Sequence, residues 1–537
     1  MAAQPQGLTR REFVAGTAAG AACLAAPWAQ RLAAAEASAR ARPNLVVIYT
    51  DDHDLDEIGC YGGTMPTPHM DSLARDGMRF SRYYVCSAVC SPSRYNLLAG
   101  RCASRSARQQ GKRFPPGGPV NIGWEAGVIQ EPDTLASVLQ AAGYRTGMVG
   151  KWHQGQLSPL QRFADADADP ATPAVQAQLA ANYENLLRSV KSCGFDYAEA
   201  VYSDNVDGGR ANLPFWLPRQ LRVHNMEWVT ASALSFLEQA AAPGAEPAKP
   251  FFLYMAPTLV HSPSAVASLR ADPRATSRGP VEVPRVQPSR ESVLARASAL
   301  GLGPKGRIND KAAGAIWLDD GVGAVLQKLE ALGLAGNTLV LLASDNGNAA
   351  KFTCYDGGAR LPCVARWPGV IPAGAVCDKL VSNLDVAPTF FELAGVTPPP
   401  AAVWDGVSIV KALRGDPTYT RDSVFLEITT ERAVVLDDGF KYMAVRYLPG
   451  ILEQVRQGQR FNHWCQPLEQ ATHTFNADTT YPAYFDLDQL YDLREDPRER
   501  RNLAGDPAFA ARLDAAKARL RQYSAGLPHT FAEFTAK

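Results

Sequence analysis

Apolar-rich runs recur through the first two thirds of the chain, and each gives way within a few residues to polar or charged side chains. Residues 44–49 run into Asp51 and Asp52, 145–149 into Lys151 and His153, 251–255 into His261, and 338–343 into Asp345 and Asn346. Short runs of this kind read as strands buried on both faces, the pattern of a parallel sheet. Helical spacing separates them over 134–142, over 312–332, where Ile316, Val322, Val325, Leu326 and Leu329 recur, and over 385–393.

The alternation predicts an α/β fold: a large mixed, mostly parallel sheet flanked by helices, spanning residues 43–415. Polar clusters just past the strands stand where open α/β sheets form their sites. From residue 416 the pattern changes. Residues 424–428, 433–436 and 442–448 are strand candidates, with Asp437, Asp438 and Gly439 as a turn. Residues 507–523 read as a helix with Asp506 as N-cap, Pro507 at its first position and Gly526 beyond its end. Residues 416–537 are therefore expected to form a smaller antiparallel sheet plus a helix. Two stretches have weaker periodicity. Residues 155–245 read as long connections and small helices, and 267–310 as an excursion of the kind that shapes a site's mouth.

Residues 1–42 read as a signal and linker. Arg10 and Arg11 precede a small, mostly uncharged run over 14–29, the form of a twin-arginine export signal. The run is too short and too rich in Ala and Gly for a stable membrane span. Export through the twin-arginine (Tat) machinery, to the periplasm or the exterior, is the expectation. Lys and Arg number 54, as do Asp and Glu, so the chain lacks the basic excess of a nucleic-acid binder. Its 537 residues fit about two domains, and its ten cysteines do not make a disulfide scaffold. Cys86, four residues before Cys90, is open to disulfide, free-thiol and core readings. The oligomeric state is unassigned.

The sharpest local signal is Cys90-Ser91-Pro92-Ser93-Arg94. With it, in order along the chain, stand Asp51-Asp52, Gly150-Lys151-Trp152-His153, His261, Ser344-Asp345-Asn346-Gly347 and Lys351. Asp51, Asp52, Asp345 and Asn346 offer only oxygen donors, which suits a hard cation, calcium or magnesium, better than zinc. Over about residues 43–505 the chain resembles the formylglycine-dependent sulfatases of the alkaline phosphatase superfamily. Ala99 and Tyr95 depart from the family's usual residues, outside the Cys-x-Pro-x-Arg core.

The resemblance implies hydrolysis of an organic sulfate ester, small or carbohydrate. It implies that a maturation enzyme oxidises Cys90 to formylglycine, and that Asp51, Asp52, Asp345, Asn346 and matured Cys90 bind one calcium ion, in preference to magnesium. One hydroxyl of the hydrated aldehyde then attacks sulfur, with Asp345 as base as well as ligand. Deprotonation of the second hydroxyl, with His153 as base, expels sulfate. His261 is the expected acid for the leaving oxygen, with Lys351 beside it. Lys151 and Lys351 contact sulfate, and Arg94 anchors the hydrate. His53, His224, His463 and Trp464 are weaker candidates for the pocket, and His69 fits a helix start. The competing reading is a phosphonate monoester or phosphodiester hydrolase using the same diol. Asn346 speaks against it, because a histidine commonly follows the aspartate there. A binding protein without activity would have lost core residues, and none is lost.

Overall fold

The most apolar run, Asn44–Thr50, forms a wholly buried strand, β1, at the middle of the central sheet. The computed structural model describes residues 42–534 except 111–119, 207–215, 243–248, 285, 287–288, 302, 304–305 and 471–475. The export motif at Arg10 and Arg11, Cys23 and His473 lie outside the described residues.

The remaining strands of the first part are β2 (Met78–Phe80), β3 (Tyr83–Tyr84), β4 (Arg145–Lys151), β5 (Tyr197–Tyr202), β6 (Phe251–Ala256), β7 (Thr338–Ser344), β8 (Cys363–Arg366), β9 (Ala375–Cys377) and β10 (Val381–Ser382). Seven of them join β1 in one eight-stranded sheet in the order β5-β4-β6-β1-β7-β8-β2-β9, while β3 pairs with β10. All pairs in the large sheet are parallel except those of β8, which runs against β7 and β2. The helices α1 (Cys90–Ala99), α2 (Leu135–Ala141), α3 (Pro173–Lys191), α4 (Met226–Ala240), α5 (Asp310–Ala331) and α6 (Val386–Ala394) accompany this sheet. Thr134 caps α2 reciprocally, its side chain accepting the Ser137 N–H while the Ser137 hydroxyl oxygen accepts the Thr134 N–H.

The second sheet is antiparallel, in the order β11 (Ser423–Ile428), β12 (Glu431–Leu436), β13 (Phe440–Val445) and β14 (Asp488–Asp492). Gly439 turns the chain between β12 and β13 at φ 90°. The terminal helix begins as a 3-10 turn, Pro507–Phe509, with Asp506 accepting the Ala508 N–H, and continues as α7 (Ala510–Ala525). Ala516 and Leu520 of α7 share a core with Val434, Tyr442 and Leu490 of the sheet. No helix among the described residues is long and apolar enough to cross a membrane.

Residues 155–245 depart from the expectation of long connections and small helices. They hold the 19-residue α3, the edge strand β5 and the 15-residue α4. Polar residues on the buried side of α3 blur its period. Asn182 and Asn185 are buried, and their amides donate to the carbonyls of Gln161 and Ser158. Buried amides satisfied by a neighbouring loop cost little, but an apolar template does not register them.

Candidate functional site

Strand register brings the acidic pairs together. β1 and β7 run parallel with Thr50 opposite Ser344, so Asp51-Asp52 and Asp345-Asn346 leave the sheet side by side. On the other side of β1 stands β6, and beyond it β4, which ends at Lys151. Gly150 precedes that lysine at φ 98°, where a Cβ would stand 2.0 Å from the Ala256 oxygen. Only glycine fits so close to β6, and the register of β4 against β5 shifts at this point. Asp52 and His153 hold φ values of 56° and 49°, an unfavourable region for residues with a Cβ and one that recurs at functional sites.

Cys90 opens α1, whose ten residues are all buried. Val89 precedes it in extended conformation without a side-chain cap, which leaves the helix start disposed toward an anion. The Cys90 Sγ lies 3.4 Å from Asp51 Oδ1 and 3.3 Å from Lys351 Nζ. Lys151 Nζ donates to Asp51 Oδ2, and Lys351 Nζ and Asn346 Nδ2 both donate to Asp52 Oδ1, all at 2.6 Å. Arg94 donates to Asp345 Oδ2 at 2.6 Å and stands 3.6 Å from Asp51. His261 Nε2 is 3.6 Å from Asp52 Oδ2. The candidates from seven separated positions therefore meet around Cys90, except that no contact of the His153 ring joins it to them. His153 Nδ1 is buried without a hydrogen-bond partner among the described residues, and burial with the nearby Lys151 and Arg94 charges holds its pKa well below the usual imidazole range.

Donor atoms of Asp51, Asp52, Cys90 and Asp345 all lie within 4.8 Å of one another, an arrangement able to hold a metal ion. Two further features fit a cation here. Asn346 Oδ1 is buried and has no hydrogen-bond partner among the described residues. Burial and the neighbouring Asp51 push the Asp345 carboxyl up to about 7 despite Arg94 and Lys151. Burial also acts to raise Asp51, but Lys151, His261, Arg94 and Lys351 outweigh it and hold that carboxyl well below the usual range. The Cys90 thiol is pushed up to about 12 by burial, against the pull of both lysines. At neutral pH the unmodified side chain is a neutral thiol, a weak nucleophile.

Sequence reasoning missed Asn205, which accepts from Lys151 Nζ at 2.5 Å, and Tyr254, whose hydroxyl lies 3.5 Å from Arg94. Asn205 sits past β5 with no motif to flag it. Tyr254 is hidden inside the apolar run of β6. The weaker histidines separate. His463 is buried, stacked on Tyr484 and bonded to Glu431, a structural role. His53 is fully buried, and neither ring nitrogen has a partner among the described residues. The backbone N–H of His69 donates to Asp319, as a helix start would.

His224 stands behind the loop that carries His261. Its Nε2–H donates to the carbonyls of His261 and Pro263 at 2.9 and 3.0 Å, and the Thr258 hydroxyl donates to Nδ1 at 2.7 Å. The neutral ring thus fixes the loop. Burial lowers the His224 pKa to about 4, with the His261 charge adding to it. An unfolded histidine takes its proton near pH 6.5, while this one resists it until pH 4. The folded state therefore loses stability as pH falls through that window, by about 2 kcal/mol at pH 5. Urea unfolding at pH 7 and pH 5 should show a smaller acid loss for His224→Gln than for the parent; equal losses would contradict the linkage.

Residues 43–396 match the family described as Sulfatase. The chain is 30% identical to human arylsulfatase A over 518 residues, covering 91% of this chain and 88% of that protein. It is 29% identical to N-acetylgalactosamine-6-sulfatase of Canis lupus familiaris, covering 85% and 81%. Among solved structures, a sulfatase from Pseudoalteromonas sp. superposes with a TM-score of 0.59 at 21% identity, covering 94% of each chain. A protein solved with its substrate D-glucosamine-2-N,6-O-disulfate gives a TM-score of 0.57 at 21% identity, covering 90% of this chain and 98% of that one.

Proposed function

The chain belongs to the sulfatase family, and from that premise we propose that it acts on a sulfated carbohydrate, with Cys90 matured to formylglycine and calcium held by Asp51, Asp52, Asp345 and Asn346. The reaction itself is sulfatase hydrolysis: a sulfate ester and water give an alcohol or phenol, sulfate and a proton. The observation that carries the finer reading is the convergence of four oxygen-bearing ligand candidates and two lysines on Cys90, a residue whose own thiol is neutral. The sugar substrate is supported by the likeness to an N-acetylgalactosamine-6-sulfatase, of whose length 81% is covered.

Formylglycine supplies a hydrated aldehyde with two hydroxyls, and calcium supplies charge for the sulfate oxygens and the attacking hydroxyl. The residues of this chain do the rest. Lys151 and Lys351 flank the position of the Cys90 side chain and meet the sulfate charge. Arg94, held by Asp345 and stacked 5.7 Å over Tyr49, fixes the floor of the site. His261, the less buried partner of Asp52, gives its proton to the leaving oxygen. His153, kept neutral by its surroundings, takes the proton whose loss releases sulfate. Asp345 serves as base for the first step. A maturation enzyme acts on Cys90, and the paired arginines direct export through the Tat machinery to the periplasm or beyond.

The test pairs two measurements on protein made with a maturation system. Peptide mass spectrometry reads residue 90, and a release assay compares sulfated hexosamines, an aryl sulfate, a phosphate diester and a phosphonate monoester. Formylglycine at residue 90 with the highest kcat/KM on a sulfated sugar is the expected result. Faster turnover of the phosphorus esters would replace this reading with the phosphonate or diester hydrolase.

A further inference from the structure

Away from the catalytic cluster, Cys86 and Cys102 place their sulfur atoms 3.9 Å apart. Both are buried, at 1% and 3% exposure. They bracket the catalytic helix: Cys86 precedes Cys90 by four residues, and Cys102 follows the last residue of α1 by three. The backbone at each is held. Cys86 N–H donates to Asn383 Oδ1 at 2.9 Å, and its carbonyl accepts the Glu427 N–H at 2.7 Å. Cys102 N–H donates to Asp405 Oδ2 at 2.8 Å.

The third donor here is the Glu427 carboxylate, close enough that the three side chains would make a metal site. One of its oxygens is hydrogen-bonded, and the other faces a guanidinium without a hydrogen bond among the described residues. Oε1 accepts the Ser104 N–H at 2.8 Å, and Oε2 faces Arg432 Nε at 3.5 Å. A guanidinium beside the carboxylate disfavours a cation between the sulfurs. The two sulfurs remain with each other.

We propose that Cys86 and Cys102 form a disulfide in the oxidised protein, a clamp that closes residues 87–101, with α1 and Cys90 inside, into one covalent loop. The bond forms by exchange with a disulfide oxidant such as oxidised glutathione. One cysteine sulfur attacks and displaces a thiol, and the second attacks the mixed disulfide and displaces another. The two cysteines lose two electrons and two protons, and the oxidant leaves as two thiols. The sulfurs close to about 2.0 Å by side-chain rotation. Burial raises the Cys86 thiol, and the contact with Cys86 followed by burial raises that of Cys102, so exchange in the folded protein is slow and the finished bond resists reductant. The clamp also gives Cys86 a partner other than Cys90, which must stay free for its own modification. The assignment is independent of the substrate.

The test uses the full chain, reduced and unfolded and then refolded in oxidised glutathione so that burial does not limit exchange, then denatured, alkylated without reductant and digested with trypsin. The expected product is peptide 83–94 linked to peptide 102–105, with fragment ions placing the link at Cys86 and neither cysteine alkylated. Alkylation of both would overturn the proposal, and so would a zinc ion retained with them. A second readout is Tm. Opening a loop of this length should lower it by about 3 °C in the parent and leave Cys102→Ser unchanged. Equal Tm values for oxidised and reduced parent would remove the clamp role. Should Cys102→Ser fail to fold, the peptide map of the parent decides alone.

Discussion

Cys90→Ser is expected to cleave no more than one ester per chain, keeping its sulfate and releasing only the alcohol, and Cys90→Ala none, with steady-state turnover down by at least about 10⁴-fold in both. The argument is about atoms, not charge. The Cys90 side chain sits with its sulfur 3.3 Å from Lys351 and 3.4 Å from Asp51, so an oxygen in its place would face the same cation and carboxylate. A serine hydroxyl there can accept sulfate once. It has no second hydroxyl whose proton can leave, so nothing expels the sulfate again. Alanine cannot begin. Both variants should fold, because the thiol's polar contacts with Asp51 and Lys351 are two weak ones at 3.4 and 3.3 Å, and a buried Cys-to-Ser or Cys-to-Ala change without large cavity formation costs about 1 kcal/mol. The measurement is alcohol and sulfate released per mole of chain, with intact mass to catch the retained sulfate. Sustained turnover by the serine variant at the parent's rate would end the formylglycine reading.

How much of this was legible in the sequence follows from what each signal needs. Three long central strands, β1, β6 and β7, declared themselves because burial on both faces leaves a near-continuous apolar run, while β4, with only Met148 and Val149 as large apolar residues, was marked by the Gly150-Lys151-Trp152-His153 that ends it. The short strands β2, β8 and β9 have three or four residues each, too few to show a period. α3 was lost because Asn182 and Asn185 occupy its buried face. At the site, the residues named in advance are those with local motifs or strand-end positions. Asn205 and Tyr254 act through contacts between β-strand ends that only the sheet order creates. His224 presents the same limit. Its position behind the His261 loop depends on the residues between them folding back, which no spacing rule encodes.

Removal of divalent cations should abolish turnover and lower stability together, and the charge balance explains why both must move. Without a cation, three buried carboxylates, Asp51, Asp52 and Asp345, face three buried cations, Arg94, Lys151 and Lys351. The cluster is formally neutral, yet not relaxed: Asp345 is pushed up to about 7 and Asn346 Oδ1 has no hydrogen-bond partner among the described residues. A divalent ion among these oxygens answers both defects and leaves the site two charges positive. That excess matches a sulfate monoester, which carries one negative charge, together with an ionised nucleophile, which carries another. Without the ion the pocket has no net attraction for its substrate beyond the two lysines, and those are already bound to aspartates. At a calcium concentration about 100-fold above its Kd, the linked stabilisation is about 3 kcal/mol. The experiment is a chelation series with EGTA followed by calcium, reading Tm and sulfate release on the same samples. Tm and activity should fall together and return together, with turnover at saturating chelator lower by at least about 100-fold. If neither responds, the three cations satisfy the carboxylates by themselves. Asp52 and Asp345 would then be structural partners of Lys351 and Arg94, and the sulfate would have to be held by side chains alone.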